Sequence, residues 1–101
     1  MRYRLLGKSG LRVSQLALGA MTFGAETGFG VDKDEGRKVY DAFRSAGGNF
    51  IDTANVYAQG TSELYLAEFI SAERERVVLA TKYTGAMRGR DINAAGNSRR
   101  T

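Results

Sequence analysis

Residues 77–80 read Val-Val-Leu-Ala, four apolar positions in succession. A strand turns successive side chains to opposite faces, so a run with no polar alternation has to be covered on both. Sheets covered on both faces are built from parallel strands joined by helices. The flanking sequence supplies such helices. Two short strand-like pieces within 3–14 flank Gly7-Lys8-Ser9-Gly10, which has the composition of a hairpin turn. A strand is expected at about 15–19, a loop with Gly24, Gly28 and Gly30 follows, and a helix spans about 32–46. A strand at about 49–54, a loop at 56–60, a helix at about 61–74 and a strand at about 76–82 complete the order. From Thr84 onward the chain is rich in Gly, Arg, Asn and Ala and reads as a loop.

The helix boundaries carry their own signals. Asp32 or Asp34 suits the start of the first helix, and Gly47-Gly48 suits its end. Val39, Phe43 and Ala46 follow the spacing of one buried face. Thr61 or Ser62 can cap the second helix, whose inward side holds Leu66, Phe69 and Ile70. Asn97 or Ser98 is expected to cap a further helix. Strands alternating with helices give an α/β fold with a parallel sheet. On this pattern a closed barrel and an open doubly wound sheet fit equally. No Gly-x-Gly-x-x-Gly follows a strand, so the Rossmann dinucleotide fingerprint is missing.

Composition narrows the chemistry. The chain has 101 residues, a formal net charge of +4, and neither cysteine nor histidine. Disulfides and thiolate or imidazole metal sites are excluded, and no clustered carboxylates suggest a metal. The basic residues are scattered; the densest are Arg74/Arg76 and Arg88/Arg90 with Arg99/Arg100. Glu73 and Glu75 interrupt the first pair, and no aromatic residues interleave with a basic stripe. Solvated surface charge therefore explains the balance better than nucleic-acid binding. Gly7-Lys8-Ser9 lacks the upstream glycine of a phosphate-binding loop and reads as a turn. No apolar run reaches membrane-spanning length and no signal peptide opens the chain, so no membrane partner and a cytoplasmic location are expected.

Three polar residues fall at carboxyl ends of the expected parallel strands, the edge at which α/β folds build their sites. Asp52 lies where strand 49–54 is ending, Tyr57 lies in the following loop, and Lys82 closes strand 76–82. Phe50, Asp52 and Ala54 share one face, as do Val78, Ala80 and Lys82. If both faces point inward, a carboxylate and an ammonium meet at the rim of a core. Pairing them offsets part of the cost of burying either alone. A tyrosine hydroxyl beside the ammonium would have its phenolate form stabilised, lowering its pKa from about 10. Such a phenol can donate a proton to a carbonyl oxygen while hydride reaches the carbon. Each residue alone also fits an ordinary role: a strand-end turn, a solvent-reaching lysine, a half-buried packing tyrosine.

The wording of the sequence goes further. Gly47-Gly48-Asn49-Phe50-Ile51-Asp52-Thr53-Ala54-Asn55-Val56-Tyr57, continued by Gly60-Thr61-Ser62-Glu63, resembles the signature of the aldo-keto reductase family around its second barrel strand. Leu18-Gly19-Ala20-Met21-Thr22-Phe23-Gly24 resembles the family's first strand and loop, and Val77–Lys82 its third strand. Asn97-Ser98-Arg99-Arg100 resembles the start of the helix before the fourth. The resemblance implies an N-terminal hairpin followed by the first three βα units of a (β/α)₈ TIM barrel, incomplete within these residues. It implies reduction of an aldehyde or ketone with NADPH, NADH being the alternative. Tyr57 would be the general acid, Lys82 would tune it, and Asp52 would pair with Lys82 and touch the nicotinamide ribose. Met21 and Thr22 would meet the nicotinamide end of the cofactor.

The family's substrate-orienting histidine and its adenosine-phosphate contacts come later than residue 101. A barrel closes with about 250 residues. The expectation is therefore that activity belongs to a complete chain. The 101 residues alone are expected to be inactive, marginal in stability and prone to self-association through an open strand edge. Two other readings accompany it: a non-enzymatic partial barrel that acts as an association module, and a degenerate remnant.

Overall fold

The computed structural model describes residues 1–87, 89 and 91–99. Five strands and two helices are ordered β1 (Tyr3–Leu5), β2 (Arg12–Ser14), β3 (Ala17–Gly19), α1 (Lys33–Ser45), β4 (Phe50–Asp52), α2 (Thr61–Ile70) and β5 (Val78–Ala80). β1 and β2 form an antiparallel hairpin, with Tyr3 opposite Ser14. β3, β4 and β5 form a separate parallel sheet with β4 in the centre.

The hairpin is fastened to the amino-terminal end of this sheet by side chains. Asn49, just before β4, accepts from Ser14 N (2.7 Å) through Oδ1 and donates to Arg12 O (3.0 Å) through Nδ2. The Tyr3 hydroxyl donates to Gly47 O (2.6 Å). These contacts place the hairpin at the end opposite Asp52.

The sheet separates its faces by the period of two. Leu18, Ile51 and Leu79 lie in one cross-strand row, and all belong to or pack on the core beneath the helices. The neighbouring row holds Gly19, Asp52 and Ala80 and points the other way. Phe69 of α2 centres the core, with the rings of Phe23, Tyr40 and Tyr65 at 6.1, 5.6 and 6.2 Å. Leu66, Phe69 and Ile70 are buried together, as the spacing of α2 predicts.

Helix α1 differs from expectation by one residue of rotation. Val39 is 42% exposed and Ala46 is exposed, while Gly36 and Tyr40 face the core and Phe43 is half-buried. Tyr40 wins the inward position because its ring reaches Phe69 and its hydroxyl finds Glu73. At the same face Gly36 packs against the Phe69 ring. The caps of α1 match the sequence: Asp32 accepts from Glu35 N (2.9 Å), and Gly47 takes φ +93° just past the helix. A side chain at Gly48 would overlap the Phe43 ring, so both glycines are required there.

Helix α2 is not capped by Thr61 or Ser62. Gly60 occupies the cap position at φ +96°, and both hydroxyls bond elsewhere. The helix also stops at Ile70 rather than near Arg74. Ser71 Oγ turns back to Glu68 O (2.9 Å), and Glu73 leaves helical geometry with its carboxylate drawn toward α1. A single 3₁₀ turn, Arg74–Arg76, then leads into β5. β4 and β5 are shorter than their extended sequence segments. Their ladder continues beyond them through Val78 N to Asn49 O, Thr53 N to Ala80 O and Asn55 N to Lys82 O (2.7, 2.8 and 3.0 Å).

After β5 no helix or strand follows among the described residues, so the third unit is present only as its strand. Asn97 and Ser98 lie in bends, and the helix they are expected to cap would lie largely outside the described residues. Arg88, Arg90, Arg100 and Thr101 lie outside the described residues, including much of the expected basic group and the end of the Asn97–Arg100 segment. No helix is long and apolar enough to cross a membrane among the described residues. β3 and β5 pair only with β4 among them, leaving an outer edge on each.

A clasp of polar groups joins α1 to the turn that follows α2. Arg44 makes a two-pronged contact with Glu73, from Nε to Oε1 (2.8 Å) and Nη2 to Oε2 (2.9 Å). Arg44 Nη1 also donates to Gly48 O (2.6 Å), and the Tyr40 hydroxyl donates to Glu73. The Arg44 guanidinium, then the Tyr40 hydroxyl, hold Glu73 down at about 2 from 4.5; burial, then Glu73, push Tyr40 up to about 12. A lowered carboxyl value stabilises the fold fully above about pH 4.5 and loses that effect as pH falls toward 2. E73Q should therefore cost about 1–3 kcal/mol at neutral pH. In thermal melts at a series of pH values, the gap between wild type and E73Q should close over this acidic window. A gap of constant size from pH 7 to pH 2 would contradict the clasp.

Candidate active site at the carboxyl ends of the strands

The parallel register brings two of the site's groups to the same edge. Asp52 is the last residue of β4 and stands opposite Ala80, two residues before Lys82. Period-two alternation therefore returns Lys82 to the face of Asp52. Lys82 Nζ lies 2.9 and 2.8 Å from Asp52 Oδ1 and Oδ2, 3.0 Å from Thr53 O and 3.2 Å from the Tyr57 hydroxyl. An ammonium has three protons, and here they have three destinations: a carboxylate, a carbonyl and a phenol oxygen. The Nζ also sits 4.9 Å from the Tyr57 ring centroid. Because Lys82 donates to the phenol oxygen, the tyrosine's own O–H is left to donate outward.

The pair is more solvated than the sequence suggests. The side chains of Lys82 and Asp52 are 51% and 43% exposed. The expected burial at the rim of a core is not realised, because the sheet face that carries them is open. The desolvation cost is correspondingly small, and the arrangement rests on hydrogen-bond geometry. The Asp52 hydrogen bond, more than any other influence, raises Lys82 above the ordinary lysine value and keeps it cationic.

Tyr57 is delivered by a strained turn. Residues Tyr57–Gly60 wind tightly, with Ala58 and Gln59 at φ 49° and 58°, in left-handed conformations that non-glycine residues avoid. Tyr57 N donates to Ala54 O (3.2 Å) and Gln59 N to Val56 O (3.1 Å). Ala58 is buried, and its methyl occupies the space that a side chain at Gly24 would need. Packing against the loop after β3 thus holds the conformation that places the phenol.

A buried polar network underlies the same edge, and sequence reasoning missed it. Thr53 and Ser62 are both fully buried; their hydroxyl oxygens lie 2.7 Å apart, and Ser62 donates to Ala20 O (2.7 Å). One chain of hydrogen bonds thereby joins the ends of β3 and β4 to the start of α2. The available signal was Thr53 itself, a polar residue on the face opposite Asp52. Two exposed contacts add to the frame: Thr61 Oγ1 to Glu26 Oε1 and Thr81 Oγ1 to Glu63 Oε1, both 2.6 Å. The Thr61 contact holds Glu26 below the usual carboxylate range.

Met21 and Thr22 follow β3 at the same end of the sheet. Met21 is 51% exposed, and Thr22 is half-buried with its carbonyl accepting from Val31 N (2.8 Å). Neither contacts the Asp52–Tyr57–Lys82 group through a hydrogen bond given by the structure. Their position leaves them at the same open edge as the three polar groups.

With this geometry in view, the comparisons are specific. The sequence model described as Aldo/keto reductase family matches residues 15–100. The chain is 47% identical over 98 residues to norsolorinic acid reductase B of Aspergillus parasiticus, covering 91% of this chain and 26% of that protein. It is 48% identical over 90 residues to aryl-alcohol dehydrogenase [NADP(+)] of Phanerodontia chrysosporium, covering 82% and 23%. Among solved structures, an aldo-keto reductase from Bacillus halodurans in its holo form superposes with a TM-score of 0.78 at 32% identity, covering 91% of this chain and 29% of that one. The chain thus spans about a quarter of the length of these curated relatives.

The geometry makes a direct prediction about charge. With the lysines isotopically labelled, the Lys82 ammonium should titrate at higher pH than a free lysine side chain, and D52N should bring that midpoint down. An unchanged midpoint in D52N would show that the carboxylate is not its principal partner.

Proposed function

The chain belongs to the aldo/keto reductase family, and on that premise we propose that it supplies the proton-donating part of a carbonyl reductase. The observation that carries this reading is the 3.2 Å contact from Lys82 Nζ to the Tyr57 hydroxyl, beside the Asp52 carboxylate. Tyr57 is the general acid. Its O–H donates to a carbonyl oxygen as that oxygen gains electron density. The proton lost leaves a phenolate, which the adjacent ammonium stabilises. Asp52 keeps Lys82 charged and aimed, and Thr53 O takes the remaining ammonium proton.

The residues present fit the nicotinamide end of a cofactor. Asp52 keeps exposed carboxylate surface that can accept from a ribose hydroxyl, and Met21 offers an exposed apolar side chain at the neighbouring strand end. NADPH, with NADH as the alternative, supplies hydride when bound. Of the relatives compared, one is named an aryl-alcohol dehydrogenase [NADP(+)] and another a norsolorinic acid reductase. An aromatic aldehyde or ketone is accordingly the proposed substrate class. The fold in this reading is the hairpin and first strands of a (β/α)₈ barrel, and turnover belongs to the complete barrel.

In that complete protein, Y57F should lower NADPH-dependent reduction of an aromatic aldehyde by about 10²–10⁴-fold while cofactor binding, followed by nicotinamide fluorescence, persists. The purified 101-residue chain should show no turnover. A Y57F enzyme with wild-type rate would refute the assignment of the acid, and turnover by residues 1–101 alone would refute the need for the remaining barrel.

A further inference from the structure

Lys82 lies beyond the last residue of β5, so the ladder strand itself does not fix its backbone. One residue takes over that role. Asn55 N donates to Lys82 O (3.0 Å), the final rung of the β4–β5 register. The side chain then reaches past that rung, and Asn55 Nδ2 donates to both Tyr83 O (2.9 Å) and Gly85 O (3.3 Å). A single asparagine thereby holds three carbonyls of the segment 82–85. The amide orientation follows from its neighbours, since only the NH₂ end can face two carbonyl oxygens.

Two further observations mark this contact as a fitted one. Asn55 Oδ1 is buried with no hydrogen-bond partner among the described residues. A buried acceptor without a partner is destabilising, so the donor contacts must outweigh it. The approach is also close: a Cβ at Gly85 would collide with Val56 and lie 3.3 Å from Asn55 Oδ1. Only glycine at position 85 lets the two loops meet at this distance.

We propose that Asn55 is a positioning residue that sets the Lys82 ammonium against Tyr57 by clamping segment 82–85 to the end of β4, with Gly85 giving the clearance. The inference rests on the reductase reading for its effect on turnover, but not for its geometry. Tyr57 follows Asn55 by two residues, so the clamp ties the segment that carries the acid to the segment that carries its ammonium. Loosening it lets Lys82 withdraw while every group that touches substrate remains in place.

The test uses N55A and G85A in the complete protein. Both variants should reduce kcat for an aromatic aldehyde by about 10- to 100-fold, the scale of a misplacement near 1 Å. In both variants the loss should fall on kcat, with KM for the aldehyde nearly unchanged, because the groups that touch substrate stay in place. A loss that falls on KM instead of kcat, or wild-type kinetics in either variant, overturns the proposal. A crystal structure of N55A reads the geometry independently of turnover. Lys82 Nζ beyond hydrogen-bond reach of the Tyr57 hydroxyl supports the clamp, and the 3.2 Å contact retained overturns it. If the wild-type protein reduces no carbonyl, the reductase reading fails by itself, and the crystallographic distance still decides the clamp.

Discussion

The Lys82 ammonium is the point on which the open edge of this sheet is organised. Its three protons go to three different acceptors: the carboxylate at the end of β4, the carbonyl of the next residue, and the phenol of the turn that carries Tyr57. A lysine suits this position better than an arginine would, because a compact ammonium can distribute donors in three directions, whereas a planar fork favours one paired partner. The carboxylate alone would leave Tyr57 unplaced, and the phenol alone would leave the ammonium without a counter-charge. The group is therefore one unit, and its geometry depends on a parallel register that sets Asp52 two residues behind Lys82 across the ladder.

That register is maintained from the other face. Leu18, Ile51 and Leu79 form the row that packs under α1 and α2, and the adjacent row is free to carry polar chemistry because it contributes little to the core. Thr53 and Ser62 extend the apolar anchor with a buried polar one, locking the strand ends to the start of α2. The Arg44–Glu73–Tyr40 clasp does comparable work at the far end of the helices. Stability and chemistry thus occupy opposite faces of the same three strands, and a change on the helix side reaches the site through register and through the packing of Ala58 beneath the Tyr57 turn.

Much of this arrangement is legible in the sequence, for identifiable reasons. Apolar runs and glycine punctuation locate the parallel strands, Asp32 and Gly47 bracket α1, and alternation alone places Asp52 and Lys82 on one face. What escapes is decided by tertiary partners. The spacing of α1 singles out Val39, and the inward position falls to Tyr40 because Phe69 and Glu73 lie opposite. Thr61 and Ser62 have the composition of caps, yet Glu26 and Ala20 O bind them instead. Asn55 reads as an ordinary turn residue, since nothing local announces three carbonyls arriving from residues 82–85. The left-handed Ala58 and Gln59 are equally invisible to propensity, which would place glycine there.

The exposure of the site bears on how strongly its parts act on one another. With Asp52 and Lys82 about half exposed, water screens the pair, and the attraction between them is that of surface groups. The contacts are already short, so closing the open face would not need to move them. It would remove water, lower the local dielectric and strengthen each charge–dipole interaction at unchanged distance. The contact between the ammonium and the phenol oxygen, now at a wet edge, would then be stronger. On the proposed reductase reading, the remaining structure would act chiefly by excluding solvent from the proposed proton-donating group, whose internal geometry is already assembled in these three strands and their loops.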